Sequence, residues 1–106
     1  MAIVTVAEMR MHMHLEVYAE ATEIDEQEDQ DQYIASLINM VQKSAEDFCG
    51  RKFAEDDAPE PVRLAVMLMV SHYYEYRDNY DNPSYKAAKS AFEDLLWPYR
   101  TVDVLF

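Results

Sequence analysis

The side chains in this sequence that could do chemistry are three histidines, one cysteine and a large excess of carboxylates. His12 and His14 stand two residues apart. On a helix that spacing turns them about 200° away from each other, so they cannot share an ion. Only a strand would bring both to one side, and no third ligand is near them in the chain. His72 lies within a crowded apolar stretch, which favours a hydrogen-bonded core or interface histidine over a catalytic one. No serine or cysteine is set beside a histidine by a recognisable motif, so a nucleophilic triad has no support. Cys49 is the single cysteine, which excludes an intrachain disulfide and a cysteine-based zinc cage. Placed just before Gly50, it reads as a small buried hydrophobe.

The carboxylates carry little more. The acidic run from Glu20 to Asp31 lacks the central glycine and the later glutamate of a calcium loop. Glu23-Ile24-Asp25-Glu26 and Glu75-Tyr76-Arg77-Asp78 resemble the paired strings with which all-helical nucleotide pyrophosphohydrolases hold magnesium. Strings this short are common in an acidic chain, however, and the gap between them is too long for that family. The first also falls where no apolar periodicity announces a helix. The seven methionines read as core filler. The tyrosines Tyr73, Tyr74, Tyr76, Tyr80, Tyr85 and Tyr99 cluster late in the chain, where they suit an interface or a core rim equally. The expectation is a protein with no enzyme activity, no cofactor and no metal site.

The elements that carry these residues follow from composition and spacing. A chain of 106 residues, half of them hydrophobic, fits one domain over residues 1–106. Ordering it costs on the order of 100–200 kcal/mol of conformational entropy, which demands a substantial core. The 21 acidic and 9 basic side chains leave a formal net charge of −12. Such a surface repels phosphate backbones and anionic lipid, so groove-reading DNA binding and membrane adhesion are both disfavoured. The charge serves solubility, or more sharply a surface that faces DNA without sticking to it. The start, Met1-Ala2-Ile3-Val4, lacks the basic and long apolar stretches of a signal peptide, and a lone cysteine suits a reducing compartment. No apolar run approaches the roughly 18 residues of a membrane span. Assembly in a cytoplasm is expected.

Gly50 is the only glycine, which disfavours phosphate-cradling loops and hairpin-rich sheets and leaves helices. Thr5 and Glu8 have capping-box spacing, with Val4 and Met9 placed as a hydrophobic staple. Val6, Met9, Met13 and Leu15 form the expected stripe of a first helix that fades near Glu16 to Tyr18. The acidic run reads as a solvated linker ending in an N-cap near Asp31. Ile34, Leu37, Ile38, Val41, Ala45 and Phe48 then mark one face of a second helix, which Gly50 caps. Pro59 and Pro61 open a third, apolar on nearly all sides from Val62 to Tyr74, a first hint of neighbouring subunits. A polar turn from Asp78 to Ser84 precedes a fourth helix with Tyr85, Ala88, Phe92, Leu95 and Leu96 on one face, stopped by Pro98. The tail from Thr101 to Phe106 alternates weakly and reads as a strand in need of a partner. The fold class expected is all-α: a small bundle of about four helices with a long apolar central helix and a short extended C-terminal tail.

Two stretches carry a likeness beyond composition. Pro61 to Arg77 resembles the signature helix of phage head–tail connector (adaptor) proteins, an apolar helix after a proline that ends in His-x-Tyr-Glu-x-Arg. Leu95-Leu96-Trp97-Pro98-Tyr99-Arg100 is similar to that family's closing Leu-Leu-x-Pro-Tyr-Arg. The upstream order agrees as well, so the likeness covers nearly the whole chain. Two features depart from the pattern: a full helix replaces the short proline-containing segment before the closing motif, and the tail runs on past Arg100. The resemblance implies a homo-oligomeric ring, about twelve subunits in the virion, that docks under the portal protein and extends the DNA channel. It also implies a bridge to the next head-completion or tail protein. DNA would pass without sequence-specific binding, and many negative charges facing inward would keep it from being trapped. Tyr74, Glu75, Arg77, Trp97, Pro98, Tyr99 and Arg100 are the motif positions expected to lock the bundle or the subunit contact. Arg77 could equally complement its own helix dipole, and Trp97 fill the core. Val102, Val104, Leu105 and Phe106 are the candidates for a docking arm on the portal or a neighbour. The alternative reading is a small acidic protein-binding regulator, a possible DNA mimic, with a basic-surfaced partner.

Overall fold

The computed structural model describes residues 2–13, 21–54, 57–76 and 83–100, and only the backbone for 21–27. Among the described residues the chain forms α1 (Val6–His12), α2 (Ala21–Cys49), α3 (Glu60–Glu75) and α4 (Pro83–Leu96), followed by a 3₁₀ turn at Trp97–Tyr99, with no strand. The expected all-α bundle is what the chain builds.

Local chemistry explains the helix ends. Thr5 Oγ1 accepts the Glu8 N–H at 3.0 Å and Glu8 Oε1 accepts the Thr5 N–H at 2.9 Å, so the expected capping box closes. Val4 and Met9, the two halves of the staple, are both fully buried. Helix α1 ends sooner than Glu16–Tyr18: Met13 leaves helical geometry at φ −90° and ψ 0°, and its N–H turns back to the Met9 and Met11 carbonyls. Val6, Met9 and Met13 of the expected stripe all pack on the core, while Met11 on the opposite side is 80% exposed. Leu15 lies outside the described residues. Gly50 caps α2 at φ 71°, a conformation that a Cβ would penalise, and this lets the Arg51 N–H reach the Glu46 carbonyl at 3.2 Å. Pro59 is the N-cap of α3 and Pro61 occupies its first turn, where a missing N–H costs nothing.

The largest departure from expectation is the acidic run. It is helix, not linker: α2 begins at Ala21, ten residues before Asp31. Absence of apolar periodicity reports absence of burial, and a solvated helix needs none. Glu23, Glu26, Gln27, Glu28 and Gln30 are good helix formers, and carboxylates near a helix N-terminus are stabilised by the macrodipole.

The core lies where α2, α3 and α4 meet. Ile34, Leu37, Ile38, Val41 and Ala45 are buried on one face of α2, against Val62, Ala65, Val66, Met69 and Val70 of α3. Phe92 and Leu96 of α4 complete it, and Cys49 is buried as a small apolar group. Each large side chain fully withdrawn from water stabilises the fold by about 1.5–3 kcal/mol. Helix α3 is not buried all round, however. Leu64 is 39% exposed and Met67 and Leu68 are half-buried, which leaves an apolar strip facing outward. Among the described residues no helix is long and apolar enough to cross a membrane.

Candidate functional site

The two motif stretches occupy different places. Tyr74, at the end of α3, is inside the bundle's polar seam. Its hydroxyl accepts a hydrogen bond from Gln30 Nε2 at 2.6 Å, and its ring stands 6.0 Å from that of Tyr33. Gln30 in turn accepts from Arg10 Nη1, which also pairs with Asp31 at 2.9 Å. Three helices are therefore linked by one chain of polar contacts: Arg10 on α1, Gln30 and Asp31 on α2, Tyr74 on α3. Arg10 is 6% exposed, and its burial requires this carboxylate and amide to compensate desolvation.

Nothing in the sequence marked Arg10. It sits beside the buried Met9 on a short helix, and its partners are about twenty residues away. Arg63 was also unmarked. It joins the Glu8 carboxylate, the Ile3 carbonyl at 3.1 Å and Glu60 at 3.0 Å, clamping the start of α1 to α3. Gln42 holds the Ile3 N–H at 2.8 Å from the α2 side.

Glu75 is exposed. Arg77 and Asp78 lie outside the described residues, as do His14 and Tyr80. His72 is buried as expected, amid the rings of Tyr73, Tyr76 and Tyr85 at 5.9, 5.1 and 5.7 Å. Among the described residues no cluster of His, Cys, Asp or Glu has metal-binding geometry.

The closing motif forms an outer face at the other end of α2. Leu96 is fully buried and anchors it, while Trp97 immediately after is 62% exposed. Trp97 therefore does not fill the core. Pro98 is exposed, and Tyr99 packs half-buried against the core. The Arg100 guanidinium lies over Phe48 at 4.8 Å and over Trp97 at 5.1 Å, and the two rings are 6.3 Å apart. Arg51 stacks nearby on Phe53 at 4.9 Å. Beneath this face the Cys49 thiol lies 3.7 Å from the Leu96 carbonyl. Burial pushes the thiol's pKa up, against the smaller opposing pull of Arg51 and Arg100. A neutral, inert cysteine results.

Beside the same face a groove of about 200 Å³ runs between α2, α3 and α4, with an apolar wall that includes Val41, Phe48, Met69 and Phe92 and a polar one of Ser44, Lys89 and Glu93. The tail residues Val102, Val104, Leu105 and Phe106 lie outside the described residues. Among the described residues the site is thus a surface of aromatic and cationic groups on a helical bundle, of a composition suited to contact.

A family model for phage gp6-like head-tail connector proteins matches residues 13–100 of the chain, which takes in both motif stretches. No curated protein and no solved structure gives a significant match.

Proposed function

The chain belongs to the phage gp6-like head–tail connector family, and from that premise we propose that it forms a homo-oligomeric ring beneath the portal. Proteins of this family are structural parts of the phage particle and not enzymes. In this reading residues 1–106 act as a single connector-like helical domain, about twelve copies to a ring, assembled in the host cytoplasm. The ring extends the DNA channel and offers a platform to the next head-completion or tail protein.

The observation that carries the reading is the closing motif's exposed face. A tryptophan 62% exposed, gripped by Arg100 and backed by a fully buried Leu96, is poorly placed for a free subunit and well placed for a contact. Trp97, Pro98, Tyr99 and Arg100 serve there. Tyr74 holds the helices in register, and Glu75 and Arg77 extend the contact at the other motif. Val102, Val104, Leu105 and Phe106 supply a docking arm for the portal or a neighbour. Net charge of −12 per subunit supports passage of DNA without adhesion.

Negative-stain microscopy of the protein, alone and mixed with its portal, tests the proposal. Closed rings with a central hole, free or seated on the portal, are expected. Single particles under both conditions would overturn it.

A further inference from the structure

Three exposed cations lie together after the C-terminal end of α2 and in the closing motif. Among the described residues Arg10, Lys43 and Arg63 each have a carboxylate partner; Lys86 and Lys89 on α4 have none within ion-pair distance, and neither do Arg51, Lys52 and Arg100. That is unexpected in a chain with 21 acidic and only 9 basic side chains, where carboxylates are plentiful. Arg51, Lys52 and Arg100 are exposed: the first two directly follow the Gly50 cap of α2, and Arg100 lies over Trp97. Arg51 and Arg100 both stand close enough to act on the one thiol of Cys49.

The opposite end of the same helix has the opposite character. Glu23, Asp25, Glu26, Glu28, Asp29 and Asp31 fall in its first eleven residues, and no Lys or Arg occurs from Ala21 to Gln42. Among those whose side chains are described, Asp31 is paired with the buried Arg10, while Glu28 and Asp29 are exposed. At about 1.5 Å per residue the 29-residue helix is roughly 43 Å long, so its acidic start cannot reach its own basic end.

We propose that the face made by Arg51, Lys52, Trp97 and Arg100 receives the acidic first half of α2 from a second copy of this chain. The inference rests on the ring reading and names the contact that closes it. A patch that meets a different patch is heterologous, and where its rotation closes, repetition yields a ring. It also resolves the charge problem. Subunits at −12 repel at long range, but this contact sets cations against carboxylates where the surfaces meet. Trp and Arg are the residues that contribute most to such contacts.

Trp97 is the only tryptophan, so its emission reports directly on the face. The full chain is followed over a concentration series by sedimentation velocity and tryptophan emission. Association should shift the emission to the blue. Two variants test the partner surfaces: Arg51→Glu/Lys52→Glu/Arg100→Glu and Glu28→Lys/Asp29→Lys. Each should raise the concentration of half-association by at least about tenfold, and an equimolar mixture should restore it. The second variant lowers the net negative charge, so general repulsion alone predicts that it associates better than wild type. Restoration by mixing also shows that both variants are folded.

Rings that assemble with Trp97 emission unchanged would overturn this contact and leave the ring reading standing. So would a Glu28→Lys/Asp29→Lys variant that associates as well as wild type, or a mixture that fails to restore. A chain that forms no ring, alone or on the portal, would overturn both. A blue shift on adding duplex DNA to dilute protein, lost in the triple variant, would assign the face to nucleic acid and overturn the second copy as its occupant.

Discussion

The Tyr74 hydroxyl accepts a hydrogen bond from the Gln30 amide at 2.6 Å, and through it the end of α3 is tied to α2 at the edge of the acidic segment. The bond spans 44 residues and joins the signature-helix tyrosine to the seam anchored by Arg10. Tyr74→Phe keeps the ring beside Tyr33 and removes the hydroxyl that accepts from Gln30. It should lower stability by about 1 kcal/mol, the usual net contribution of such a bond, read from the urea midpoint at constant slope. An unchanged midpoint would show that water serves Gln30 equally well.

Cys49 should behave as a neutral core group. Its folded-state pKa is raised above 9.0 by burial, so the protonated thiol is the form the fold prefers. The associated stability is complete below 9.0 and is lost as the pH rises from there through the folded-state value. Alkylation by iodoacetamide at pH 8 should be slow in the native protein and fast in denaturant. Equal rates in the two states would contradict the burial.

Removal of Val102 to Phe106 tests the arm. Among the described residues the core is already built from α2, α3 and α4, with Leu96 buried and Tyr99 packed against it, so the truncated chain should keep its helical circular dichroism. Docking on the portal should be lost. Normal docking by the truncated protein would sink the assignment.

Salt should act in two directions on assembly. Long-range repulsion between subunits at −12 is screened at about 0.1 M, where the Debye length is about 10 Å, and rings should become more abundant. Close pairs across the proposed contact yield only near 1 M, where it is about 3 Å. Ring yield counted by microscopy should therefore rise and then fall. A monotonic rise to 1 M would leave no part for attractive charge pairs.

How far the sequence reached depended on whether its signals were local. Thr5 with Glu8, and Gly50 with Arg51, act within one turn of backbone, so spacing alone identified both caps. The apolar face from Ile34 to Ala45 was legible for the same reason: a 3.6-residue period needs no partner to be recognised. The two motif stretches, Pro61 to Arg77 and Leu95 to Arg100, were sufficient to place the chain beside the connector family.

The acidic half of α2 was misread because periodicity reports burial, and a helix can run through solvent without it. Arg10 and Trp97 were decided by tertiary structure alone. An arginine is buried only where distant groups meet its charge, here Gln30 and Asp31, brought from about twenty residues along the chain. A tryptophan is left outside only when the core is already filled, here by Leu96 and Phe92. Local hydrogen-bond geometry is written in neighbouring residues; desolvation depends on everything the fold brings near, and so the sequence determined the helices while the packing determined which side chains remain free to meet another subunit.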